Sequence, residues 1–227
     1  MMARRRARDP RALGGVLFVA LFISGLVLGG ALSSAPFPMP GASAQEVARY
    51  YDENRTAVLA AGSFQVLSSL ALLVFSSSVT AFVRRTAGGR GALPALTTGG
   101  GLSAAALLLA SALLGFVLAL APGGLELDLV GVLRQMNFLT GGTLHVAALG
   151  LFVGAASIAA PRTKALPSWI SGLGIVAAAL AILSLASLLW FPATILIPLG
   201  RLLLAIWCVA TGLVLALGGQ RDASAGG

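Results

Sequence analysis

The chain has 227 residues, of which 58% are hydrophobic and 10% charged, with a mean hydropathy of +0.96. Soluble domains carry roughly 25% charged residues, so this composition excludes one large water-soluble globule. The formal charge of +8 does not indicate nucleic acid, because the basic residues sit in short loops between apolar stretches rather than along a helix face.

A hydrocarbon core of about 30 Å needs about 20 helical residues. The apolar runs predict an all-α, polytopic membrane protein, a single domain over 1–227 with six spans near 12–33, 57–83, 95–120, 137–160, 168–190 and 195–217. Arg4, Arg5, Arg6, Arg8 and Arg11 precede the first span, and Ala42-Ser43-Ala44 follows it. That pattern also fits a cleaved secretory signal. The apolar run is long for a signal core, and Pro10 stands five residues before Gly15, a spacing repeated further on, so it is read as a span.

Residues 35–42 form a proline-broken loop, and Ser43-x-x-Glu46 is a capping-box pattern that starts a short outer helix near 44–56. Glu46–Arg49 and Asp52–Arg55 are spaced to pair across its turns. Arg84, Arg85 and Arg90 follow the second span, Arg162 and Lys164 the fourth, and Arg221 the sixth. Eleven basic residues thus fall on one side, against Arg49, Arg55, Arg134 and Arg201 on the other. The positive-inside rule puts both termini in the cytoplasm. Tyr50, Tyr51, Trp190 and Phe191 are read as outer-interface anchors and Trp169 as an inner one. Pro122 to Asn137 and Pro192 to Arg201 are read as outer loops.

The spans repeat. Leu93-Pro94 leads into Gly99-x-Gly101 and the alanines 104–106, and Leu166-Pro167 leads into Gly172-x-Gly174 and the alanines 177–179. The run 61–66 aligns with 141–146, pairing Gln65 with His145, and the sixth span gives a third, weaker copy near Cys208. This predicts three repeated helical hairpins in one orientation, about an axis along the membrane normal. Gly25-x-x-x-Gly29 and Gly150-x-x-x-Gly154 are small-residue surfaces for close helix packing within the chain, or for contact with a second copy.

Polar residues inside a membrane are the default functional candidates. Gln65 and His145 each lie ten residues beyond an arginine or glutamine at the outer end of their span, about 15 Å deep at 1.5 Å per residue. Asn54 shares a helix face with Gln65, and Arg134 with His145. Facing inward, these residues make a polar funnel. Arg134 and Arg201 would meet an anionic group, His145 and Gln65 would hydrogen-bond deeper, and Asn137 with the outer residues Asp52, Glu53 and Arg55 would line the mouth. The alternative is packing, in which Gln65 and His145 bond each other or a backbone carbonyl.

Catalysis finds no support. The span cores carry no carboxylate, Lys164 is far from the outer serines, and no G-x-S-x-G pattern occurs. One histidine and one cysteine, Cys208 in a span, make no metal site, and no cofactor is expected. Ser76, Ser77 and Ser78 are read as bonding back to their own helix. The partners expected are the bilayer, a lipid or small polar ligand, and a membrane-protein partner or second copy.

The three-hairpin plan resembles mitochondrial-type carriers in architecture only, because Pro94 and Pro167 lack the P-x-[DE]-x-x-[KR] continuation. The outer helix Glu46 to Arg55, the Gly141 to His145 stretch and Leu166-Pro167-Ser168-Trp169 resemble uncharacterised six-span bacterial integral membrane proteins grouped as domains of unknown function. That resemblance implies a fold and a plasma-membrane location, and no activity. The function expected is a non-enzymatic membrane protein that binds a lipid or a partner helix. The alternative is a small-solute transporter, or the substrate-capturing subunit of one.

Overall fold

The computed structural model describes residues 8–39, 41–86, 91–121, 124–163 and 166–218. Arg4, Arg5, Arg6, Arg90, Lys164 and Arg221 lie outside them, as does Pro122. The described residues are all-helical, and six helices are long and apolar enough to cross a membrane. A turn of 3₁₀ helix, Pro10–Leu13, leads into α1 (Gly14–Leu32). Then come the short α2 (Ala44–Glu53), α3 (Arg55–Thr86) and α4 (Ala92–Leu120). Next, α5 (Leu127–Phe138) runs through a π-helical segment, Leu139–Leu144, into α6 (His145–Ala159), making one 33-residue rod. The last are α7 (Ser168–Leu183), extended by a 3₁₀ turn Ser184–Leu188, and α8 (Leu196–Leu217) behind the 3₁₀ turn Phe191–Ile195.

Two expected loops are therefore helical. Residues 127–137 belong to the fourth rod and 196–201 to α8. Glu126 in extended conformation precedes α5, and Asp128 in its first turn favours the amide end of the helix, so the charged stretch starts a helix instead of a loop.

Neighbouring spans pack in chain order: α1 on α3, α3 on α4, α4 on the α5–α6 rod, α6 on α7, α7 on α8. The ring closes where α8 returns to α1. The Asp9 amide donates to the Leu215 carbonyl at 3.3 Å, so both described ends of the chain share one end of the bundle, the terminal end. The first span is thus an integral wall of the ring. At the opposite, distal end sits α2.

Leucine gains little by packing on leucine in lipid, so close backbone approach at small residues must hold the ring. Gly25 and Gly29 lie against Phe64 and Ala61 of α3, and Gly150 and Gly154 against Ala181 and Ala178 of α7. Both small-residue motifs are thus used inside the chain. In each Gly-x-Gly only the second glycine is packed. Gly101 faces Ser76 and Phe152, and Gly174 faces Ser157 and Trp207, whereas Gly99 and Gly172 face open space. At the centre, Phe75, Phe152 and Trp207 make three mutual edge-to-face contacts, with centroids 5.8, 6.3 and 6.0 Å apart. Such pairs add about 0.5–1.5 kcal/mol beyond their buried area.

The amphipathic α2 starts at a capping box. Ser43 Oγ accepts from the Glu46 amide at 3.3 Å while a Glu46 carboxylate oxygen accepts from the Ser43 amide at 2.9 Å. Its buried stripe Val47, Tyr50 and Tyr51 packs on Leu118, Ala119 and Val130. The expected Glu46–Arg49 and Asp52–Arg55 ion pairs do not form among the described residues, and the Glu46 carboxylate is occupied by Ser43 instead. The ion pair that does form is Arg11–Asp9 at 3.0 Å, at the terminal end. Ser76 and Ser77 bond back to their helix as expected, but Ser78 donates to Asp9 at 2.9 Å and ties the chain's start to α3.

Two outcomes follow from this packing. Gly174→Ala drives a methyl group into Ser157 and Trp207 and should destabilise by about 1–3 kcal/mol, whereas Gly172→Ala should be neutral or stabilising; thermal melts in detergent separate the two. The Ser43 amide and hydroxyl hold the Glu46 carboxyl below its ordinary 4.5. The capping contribution is therefore complete above that value and is lost as pH falls through the lowered one. Amide protection across α2, corrected for intrinsic exchange, should drop in this acid window, and Glu46→Gln should show little further drop.

Candidate functional site

A cavity of about 830 Å³ occupies the distal half of the bundle, between α1, α3, α4, the α5–π rod and the start of α8. α1 meets α8 near the terminal end, where Gly15 lies on the Cys208 carbonyl and Gly212 on the Ala12 carbonyl, and the cavity lies further along α1, from Phe22 onward. Above that point Gly25 and Gly29, packed on α3, line the cavity, and Gly30 faces open space. Leu26 and Met39 on its rim are 61% and 75% exposed, so the cavity reaches the surface beside α1.

The roof is the segment 33–39 with Tyr50 and Tyr51. Asn54, buried between α2 and α3, pins it by accepting from the Ser34 amide at 2.7 Å and from the Ser33 and Ser34 hydroxyls at 3.0 Å each. Phe37 then stacks edge-on against Tyr50 at 5.3 Å. Tyr50 and Tyr51 are buried rather than anchored at an interface, whereas Trp169, Trp190 and Phe191 are exposed.

Four of the expected ligand residues, Gln65, Arg134, Asn137 and Arg201, line this one cavity. Arg134, on α5, donates through Nη2 to the Pro38 carbonyl at 2.9 Å and lies 4.7 Å from the Phe37 ring centre. Arg201, on α8, donates through Nη2 to the Gly141 carbonyl and lies 5.1 Å from the Phe22 ring centre. In this π-helical register the His145 amide bonds to the Thr140 and Gly142 carbonyls and not to that of Gly141, which accepts from Arg201. The Nε atoms of both arginines are buried without a hydrogen-bond partner. No aspartate or glutamate lines the cavity among the described residues.

The amides bridge the wall. Gln65 Nε2 donates to the Leu108 carbonyl at 3.0 Å, and Asn137 Nδ2 to the Ser111 carbonyl at 2.6 Å, with Ser111 Oγ donating back to the Asn137 carbonyl at 3.2 Å. A carbonyl can only accept, so each amide turns its nitrogen to α4 and its oxygen elsewhere.

His145 is not among the lining residues. It is fully buried, and its Nδ1 donates to the Ala104 carbonyl at 2.8 Å, one turn from the carbonyl that Gln65 uses. This is the packing arrangement, with a backbone carbonyl as partner. Asp52, Glu53 and Arg55 are exposed and also stand apart from the lining. The aromatic contacts at Phe22, Phe37, Tyr50 and Tyr51 were not read from the sequence as site residues. The Val47, Tyr50, Tyr51 spacing on a short amphipathic helix was the available signal, since residues three and four apart share a helix face. A second cavity of about 550 Å³, beyond Phe138, is lined by Gln135, Thr143, Ser187 and Thr194 and carries no charged residue.

Burial pushes the Tyr51 phenol up to about 12 despite the opposing pull of Arg134. The folded protein holds that proton more tightly than the unfolded chain does, so the roof's stability is intact below pH 10 and falls as pH rises towards 12. Tyrosinate absorbance of the wild type minus that of Tyr51→Phe should rise near pH 12, together with loss of α2 protection.

No family model, no curated protein and no solved structure matches this chain.

Proposed function

We propose that this chain is a non-enzymatic protein of a bacterial plasma membrane that holds an anionic, lipid-like molecule in its distal cavity. The observation that carries this reading is the pair Arg134 and Arg201, both on the cavity wall, neither ion-paired among the described residues. A charge kept out of water without a partner is costly, and in membrane proteins it marks a ligand or ion position. The largely apolar wall and its opening beside α1 suit a molecule that is itself part lipid.

The reading places the distal end outside and both termini in the cytoplasm, in line with the basic residues counted along the loops. Transport is the weaker reading. Phe18, Phe75, Phe152 and Trp207 are buried in the main apolar core, which argues against a polar path through the bundle.

Native mass spectrometry of gently solubilised protein tests the proposal. The wild type should carry a lipid-like adduct, and Arg134→Ala should lose most of it. His145→Ala should melt lower yet keep the adduct, because His145 supports α4 from outside the cavity. A bare wild type, or an adduct indifferent to Arg134→Ala, would leave only the packing role and a scaffold.

A further inference from the structure

The cavity's hydrogen-bonding groups narrow the chemistry of what it holds. This inference rests on the reading of the cavity as a lipid-like binding site. Each guanidinium has five N–H donors. Among the described residues Arg134 commits Nη2 to Pro38 and Arg201 commits Nη2 to Gly141, while the two Nε donors are buried and unpartnered. Guanidinium forks match the oxygens of phosphate groups, two N–H donors at a time. Tyr51 also lines the cavity.

The acceptors add a second requirement. The Gln65 and Asn137 nitrogens donate to the carbonyls of Leu108 and Ser111; one Gln65 N–H stays unused, and neither side-chain oxygen has a donor among the described residues. A fully ionised phosphate, sulfate or carboxylate offers them no donor. An ammonium group would donate, but it would enter a cavity with two guanidiniums and no acid. A neutral hydroxyl satisfies both conditions.

We infer that the cavity takes a polyol phosphate: a phosphate ester at Arg134 and Arg201, with free hydroxyls beside it donating to the Gln65 and Asn137 amide oxygens. A lipid headgroup or a water-soluble sugar or glycerol phosphate shares this chemistry. The apolar rim at Leu26 and Met39 gives acyl chains a way into the bilayer.

The test is competition on the full-length protein in mixed micelles, read by native mass spectrometry. The probes are phosphatidylglycerol, phosphatidylethanolamine and phosphatidic acid with matched chains, and glycerol 3-phosphate without chains. Phosphatidylglycerol should be retained at least about tenfold over phosphatidylethanolamine, and clearly over phosphatidic acid, since a site built for a hydroxyl rejects the analogue that lacks it. Retention of the phosphatidylglycerol in preference to glycerol 3-phosphate identifies the lipid as the source of the group, and the reverse identifies a soluble metabolite. Gln65→Leu should shrink the preference over phosphatidic acid while Arg201→Gln weakens every anionic probe. Should Gln65→Leu fail to fold, the wild-type headgroup ranking decides by itself. Binding that depends on Arg134 and Arg201 but ignores the headgroup hydroxyls overturns this inference and leaves the cavity reading standing. No retained probe of any kind overturns both.

Discussion

Close backbone approach at small residues is the constraint from which the rest of this fold follows. In a bilayer, apolar side chains are as well solvated by lipid as by one another, so helices adhere where van der Waals contact is densest. Gly14, Gly15, Gly101, Gly150 and Gly174 each bring a neighbouring helix within reach of the backbone. The three aromatic rings at the centre take up the space that the glycines make for them. Further along α1, Gly25, Gly29 and Gly30 line the cavity.

The intramembrane polar residues divide by whether their donors are used up. Gln65, Asn137, His145 and Ser68 all donate to backbone carbonyls of neighbouring helices: Leu108, Ser111, Ala104 and Phe18. Such bonds average well under about 2 kcal/mol in membranes, but they set rotation and depth, because a helix that slips leaves a buried donor unpaired. Along α4, His145 and Gln65 grip carbonyls one turn apart from its two sides. Arg134 and Arg201 differ. Each bonds one carbonyl and leans on one ring, Phe37 or Phe22, yet keeps a buried N–H and a full charge without a counterion.

The π-helical segment connects these two sets. Its wider turn passes over the Gly141 carbonyl, which Arg201 then takes, and Gly141 lies so close to Ser111 that an added methyl group would collide with it. The same short stretch therefore seats the rod against α4 and positions the cation. At the distal end the roof works in a similar way. Asn54 fixes the segment that follows α1, and Phe37 on that segment supplies the ring for Arg134.

Hydrophobic length and the sparse charges determined the helical class, the six membrane-length helices and the capped start of α2, because these depend on local composition and on residues three or four apart. Four of the cavity's polar residues were also legible, since few polar side chains occur at that depth and helical spacing placed them on related faces. Tertiary structure alone decided the rest. It buried Tyr50 and Tyr51 under Phe37, and kept His145 out of the cavity while admitting Arg201. Those outcomes depend on which carbonyl or ring faces each side chain across a helix interface, and periodicity within one helix carries no information about its neighbour.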